Sequence, residues 1–230
     1  MTFLQLVNRL KAECAISGQD ATDVTGGFGI MLRLPQWINA AYQEILSQHA
    51  WNFCWAQFSG TLTAAQSDYV LDTLTGVSGV GPVLSSSVKV NGQYINWDAD
   101  YRKLIDQFNG VSNTAPTKFT RLPNGSLRFF ATPDSNYSIQ FDYFRNAHTL
   151  VAASDVPLIP SAFHDVIVYK AMQFYAVYEG AQDVMAFANA QYALRLAQLG
   201  FDQLPKFNVR QAYDLNNFAS GSASTDGGLV

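Results

Sequence analysis

Charge is what this sequence has least of. Charged side chains are 14% of its 230 residues, against roughly 25% in an ordinary soluble domain. Histidine and cysteine are also scarce. His49, His148 and His164 stand far apart, outside any metal-ligand spacing. Cys14 and Cys54 lie in apolar contexts and are expected to be reduced, buried thiols, not a disulfide. No apolar run reaches the roughly 18 residues of a membrane helix. The opening stretch MTFLQLVNRLKAEC lacks the basic-then-apolar layout of a secretory signal, so synthesis and retention in the cytoplasm are expected. A net charge of −4 argues against a general nucleic-acid binder, which presents a basic face to phosphates. There is no glycine-rich loop ending in Lys-Ser or Lys-Thr, no GxSxG elbow and no CxxC pair.

What is abundant is apolar surface, at 48% of residues. Without a membrane span, that much uncharged surface points to contact with other chains. Thr2 and Gln5 form a capping box, after which Phe3, Val7, Leu10 and Cys14 recur at helical spacing as far as Ser17-Gly18. GGFG, at positions 26–29, is a loop. A second helix is predicted from about Met31 to His49, with Leu34, Ile38, Ala41, Ile45 and Gln48 on one face. Pro35 fits within its first turn, where no intrahelical bond is lost.

From Phe58 to Phe144 the pattern shifts to short β-prone runs. Asn124-Gly125 and Asn91-Gly92 each predict a hairpin turn, and YSIQFDYF alternates like a strand with one wet face. DTLTGVSGVGP (72–82) reads as a loop. Helical pattern resumes at Pro160, with Ser161 expected as the cap and Asp165 in the first turn. Phe163, Ile167, Val168, Ala171, Phe174, Tyr175 and Tyr178 form one charge-free arc. Val166, Tyr169, Met172 and Val177 lie on the other side, where a second subunit is expected to bind. Beyond the break at Gly180, Val184, Phe187, Tyr192 or Gln191, Leu194 and Ala197 are expected to face inward as far as Gly200. Phe207 and Val209, then Tyr213 and Leu215, continue at period-two spacing toward Phe218, a pattern suited to binding a partner as an added strand. The last residues, ASGSASTDGGLV, cannot build a core.

The expected architecture is therefore α+β. An antiparallel helical bundle (1–57 and 155–200) carries an inserted small antiparallel β unit (58–154) and an extended, partner-binding C-terminal tail (201–230).

Two constellations invite a chemical reading. His164 and Asp165 are adjacent, but neighbouring helical residues point about 100° apart and cannot pair as base and orienting carboxylate. Asp98 and Asp100 in WDADY could share a face, and with Trp97, Tyr94 and Tyr101 they support an alternative: a glycan-binding or glycan-processing component. Solvated loop acids and core aromatics are the plainer account of the same residues. No catalytic residue, metal site or cofactor is expected.

The order of segments carries a resemblance. RLKAEC, RLPQWINAAYQEI, WNF, WDADYRKLID, PTKFTRLPNGSLRFFATPD, IQFDYFR, DVPLIPSAFHDVIVYKAMQFYAVYEG and the Tyr192–Leu199 helix follow one another as in the head-to-tail adaptor, or connector, proteins of tailed bacteriophages. These include tubular tail proteins of the A type. The chain resembles that family over about Met1 to Leu204. The resemblance implies a structural, non-enzymatic virion protein of the neck, made in the host bacterium. It also implies a ring, usually of twelve copies, docked on the portal protein and leading to a stopper, nozzle or tail tube. Double-stranded DNA would pass through the lumen without sequence-specific binding, and the acidic balance of the chain is consistent with that. Such a ring needs two unlike contact faces on each subunit, because head-to-tail contacts are heterologous.

Overall fold

Helix α1 (Phe3–Glu13) starts where the sequence places its cap. Thr2 Oγ1 accepts from the Gln5 amide, and Gln5 Oε1 accepts from the Thr2 amide. Two more free amides of its first turn, those of Phe3 and Leu4, donate to the carbonyls of Asp155 and Ala153. The start of the chain is thereby tied to a segment 150 residues later. Lys11 is buried, and its ammonium donates to Gly18 O at 2.6 Å and to Asp20 at 3.0 Å, closing the loop that follows the helix.

This computed structural model describes residues 1–204. After a 3-10 turn at Gly29–Leu32 comes α2 (Arg33–Gln48), with Pro35 inside its first turn as expected. Leu34, Ile38, Ala41 and Ile45 are buried as anticipated, together with Tyr42 and Leu46. Gln48 is instead exposed and donates to the Tyr192 hydroxyl. Asn39 on the same helix holds the backbone of Leu150 by two bonds, at 2.9 and 2.8 Å.

The middle of the chain forms two small sheets. Strands β1 (Trp55–Leu62), β2 (Asp68–Tyr69), β3 (Val80–Val83), β4 (Lys89–Val90) and β5 (Gln93–Tyr94) are followed by β6 (Asn96–Trp97), β7 (Lys118–Arg121), β8 (Leu127–Phe130) and β9 (Tyr137–Arg145). One sheet runs β1-β9-β4-β5, with β3 also on β9; the other runs β2-β8-β7-β6. Both expected hairpins are present, β4–β5 and β7–β8. Asn91 and Gly92 adopt φ of 50° and 76°, the left-handed pair that such a turn requires.

Three details differ from expectation. The strand region begins at Trp55, not Phe58. The β6–β7 pairing is parallel, so the unit is not wholly antiparallel. Residues 72–82 are not a loop: they contain α3 (Leu71–Thr75) and β3, tied together because the Asp72 carboxylate accepts from the Gly79 and Val80 amides. A short helix, α4 (Tyr101–Gln107), starts at Asp100, whose side chain accepts from the Lys103 amide.

The last helices are α5 (Asp165–Glu179) and α6 (Gln182–Gln203), separated by Gly180 at φ 68°. Ser161 is not the cap: Ser161–Phe163 form a 3-10 turn, and α5 begins after His164 without a side-chain cap bond. The chain is thus α+β, with two apolar clusters. One gathers α1, α2, α5 and α6; the other is shared by the two sheets, from Leu62 through Phe119 and Phe129 to Phe141. Cys14 and Cys54 are free and buried, and burial pushes their thiols up to about 12 and about 11.

Candidate functional site

Helix α5 is apolar on both sides because both sides are filled from within the chain. It packs on α1 and α2 and also on α6. Val166, Tyr169 and Met172, three of the four positions expected to meet a second subunit, are buried in this chain's own core. The Tyr169 ring meets Phe187 of α6 edge-on at 6.1 Å. Val177 alone remains open, 72% exposed, beside the half-exposed Tyr178. Trp37 and the Arg33 guanidinium lie on the Tyr178 ring, and the exposed Leu32 precedes that arginine.

The 22 residues of α6 bury only two side chains, Ala188 and Leu199. Val184, Tyr192 and Leu196 pack partly against the bundle. Leu194 and Ala197, expected to face inward, are exposed with Ala190, and Phe187 borders them, exposed on one side while its ring meets Tyr169 on the other. Phe187 is 47% exposed and Leu194 52%. Their spacing of three, four and three residues makes a continuous apolar stripe on one side of the helix. Apolar residues occur all round α6, so periodicity alone does not say which face is covered, and the position of α5 decides it.

The chemical candidates are taken up by structure. His164 is 1% exposed. Its Nε2–H donates to Ile159 O at 2.7 Å, and its Nδ1 accepts from the Met1 ammonium at 2.6 Å. Burial, then the nearby positive amine, lowers its pKa below the ordinary 6.5, keeping the ring neutral. Asp98 accepts from the Asp100 amide, and Asp100 caps α4, so both carboxylates serve turns. The 280 Å³ cleft beside Trp97 is lined by Val83, Ser85, Phe119, Arg121 and Leu127, and by neither aspartate. Tyr94 carries the Lys89 ammonium over its ring at 4.5 Å, and Tyr101 opens α4 beside Arg102. The cleft beside Trp97 is thus lined by no carboxylate, and the glycan reading gains no support from it. Among the described residues, no group of three or more His, Cys, Asp or Glu is placed to hold a metal ion. None of the described helices is long and apolar enough to cross a membrane.

What the molecule offers is open surface, and the comparison with known families agrees. The family model described as SU10 adaptor protein matches residues 1–218. The chain belongs to the SU10 adaptor protein family. It is thus a tailed-phage adaptor, and the family's role is structural, not catalytic. No curated protein matches the chain. In this adaptor the expected tail contacts Phe207, Val209, Tyr213, Leu215 and Phe218 lie outside the described residues. The sequence reading did group Phe187, Leu194 and Ala197 on one face of α6, but it turned that face inward, and in the structure it is exposed.

Proposed function

We propose that this adaptor assembles head to tail into a ring in the phage neck, docked on the portal and extending the DNA channel toward the next tail component. The observation that carries this reading is the unfilled α6 face, a long helix whose outer stripe is alanine, leucine and phenylalanine. Each buried CH2 contributes about 0.8 kcal/mol, so covering that stripe in an assembly is favourable. The occupant is a second copy. Its complementary patch is Val177 and Tyr178 with Leu32, a different surface, as a heterologous contact requires. Twelve copies is the number that the family resemblance implies. Helical residues 1–54 and 146–204 hold nine carboxylates against five Lys and Arg, whereas 55–145 hold seven of each. The helical part therefore suits a lumen that DNA crosses without adhering. The C-terminal segment containing Phe207, Val209, Tyr213, Leu215 and Phe218 serves as a partner-binding arm.

The test uses Leu194→Glu and Val177→Glu, both at exposed positions. Each variant alone should remain folded and fail to build multimers, read by mass photometry in the presence of portal rings. Mixed together, the two should form dimers that stop at two copies, since one intact contact remains between them. Wild-type-like rings from both single variants would defeat the reading.

A further inference from the structure

Strand β1 lies at the margin of its sheet. All eight of its residues pair with β9, from Trp55 opposite Phe144 to Leu62 opposite Tyr137. Among the described residues, no backbone bond joins its other edge to anything. In an antiparallel ladder, alternate residues aim their N–H and C=O away from the partner, so such an edge leaves about four residues' worth of donors and acceptors unpaired. Margins of this kind are normally blunted by shortness, proline, charge or a covering element. The other margins follow that rule. β2, β5 and β6 are two residues each, and β3 is four residues including Pro82. β1 does not follow it: WAQFSGTL has no charge and no proline.

We infer that the free edge of β1 accepts residues Phe207–Phe218 of a neighbouring copy as an added strand. The inference rests on the assembly reading above and names the receptor for its arm. Three observations select this occupant. A second copy cannot fill the edge with its own other margins, which are two to four residues long against eight. Residues 205–230 follow directly on α6, the helix assigned to the subunit boundary, so a neighbour's arm starts where two copies meet. Its twelve-residue stretch FNVRQAYDLNNF carries one Arg and one Asp, so it is neutral like β1. At about 3.3 Å per residue it is long enough to span the whole edge. Phe207 and Val209, or Tyr213 and Leu215, would extend the face on which Phe58 and Leu62 lie, while main-chain bonds supply the attachment. A strand passed from one copy to the next is itself a heterologous contact and reinforces head-to-tail order.

The experiment co-expresses two full-length chains carrying different tags, one with Gln57→Cys and one with Asn208→Cys, two positions on the face opposite Phe58 and Val209, and joins thiols with a short bifunctional maleimide. Cys14 and Cys54 are buried and protonated near neutral pH, so they do not compete. The expected result is a covalent product containing both tags. Its absence, or joining within a single chain only, overturns the inference. Mass photometry of the same sample reports assembly independently, so multimers without the mixed product sink the strand exchange and leave the adaptor reading standing. Hydrogen exchange gives a second measure. In multimers, alternate β1 amides should exchange at least about tenfold more slowly in the wild type than in Val209→Pro/Leu215→Pro, since proline removes the donors an added strand needs. Equal rates overturn it.

Discussion

The helical and the β parts of this adaptor are each incomplete, and in different ways. The bundle packs α5 between α1, α2 and α6 along most of its length yet leaves the outer stripe of α6 largely exposed. The sheets share a well-filled core yet leave the long edge of β1 unpaired. One part lacks apolar cover, which is non-directional and tolerant of the partner's detailed shape. The other lacks hydrogen-bond partners, which fix direction and register. A subunit with both deficits can gain adhesion from its helices and orientation from its strand.

The strongest way to break this contrast is to disturb each core by itself. Ile38→Ala in the bundle should cost about 2–5 kcal/mol, and Phe141→Ala in the sheets about 3–5 kcal/mol, measured by urea unfolding. The two apolar clusters are separate, so Phe141→Ala should leave the midpoint of the helical circular-dichroism signal nearly unchanged. A joint shift of helical and sheet signals would merge the two parts into one cooperative unit.

Ion pairs in the two parts differ on a smaller energy scale. In the bundle the Lys11 side chain is only 6% exposed, and it holds both Gly18 O and Asp20. Lys11→Ala should lose about 1.5–3 kcal/mol, the usual range for bonds to a charged group. In the sheets, Arg128 grips Asp68 with two bonds, but the pair is open to solvent at 28% and 42%. Asp68→Asn should cost under about 1 kcal/mol, fading in high salt. Equal losses from both substitutions would show that burial does not set the difference.

A third test changes only pH. His164 faces the Met1 ammonium, Ile159 O and the neighbouring Asp165, and its folded-state pKa lies below the ordinary 6.5. The unfolded chain therefore takes up this proton first as pH falls. Stability is complete above 6.5 and declines as pH drops below it, until the folded-state value is passed. Urea midpoints taken between pH 8 and pH 5 should show that slope in the wild type and lose it in His164→Gln. A slope retained in the variant would place the proton elsewhere.

Much of the fold was legible along the chain because its signals are local. The Thr2–Gln5 box, Pro35 in a first turn and the Asn91-Gly92 and Asn124-Gly125 turns each depend on a few adjacent residues. Residues 72–82 misled because Asp72 reaches seven and eight residues ahead to bind Gly79 and Val80, joining a short helix to a strand across a glycine-rich stretch. Asp98 and Asp100 looked like a chemical pair because spacing places them together, whereas each carboxylate is satisfied by a nearby amide.

Alone, the amino-acid sequence determined that this is an α+β chain with few charged residues, and its order of segments already resembled phage adaptors. Which apolar faces are buried was decided only in three dimensions. Val166, Tyr169 and Met172 went to the core, and Phe187 and Leu194 went to the outside. The reason is physical: periodicity reports that a face is apolar, and burial depends on which neighbour arrives to cover it. The same holds for β1, whose strand character is local but whose open edge exists only because β9 pairs with one side and no described strand pairs with the other.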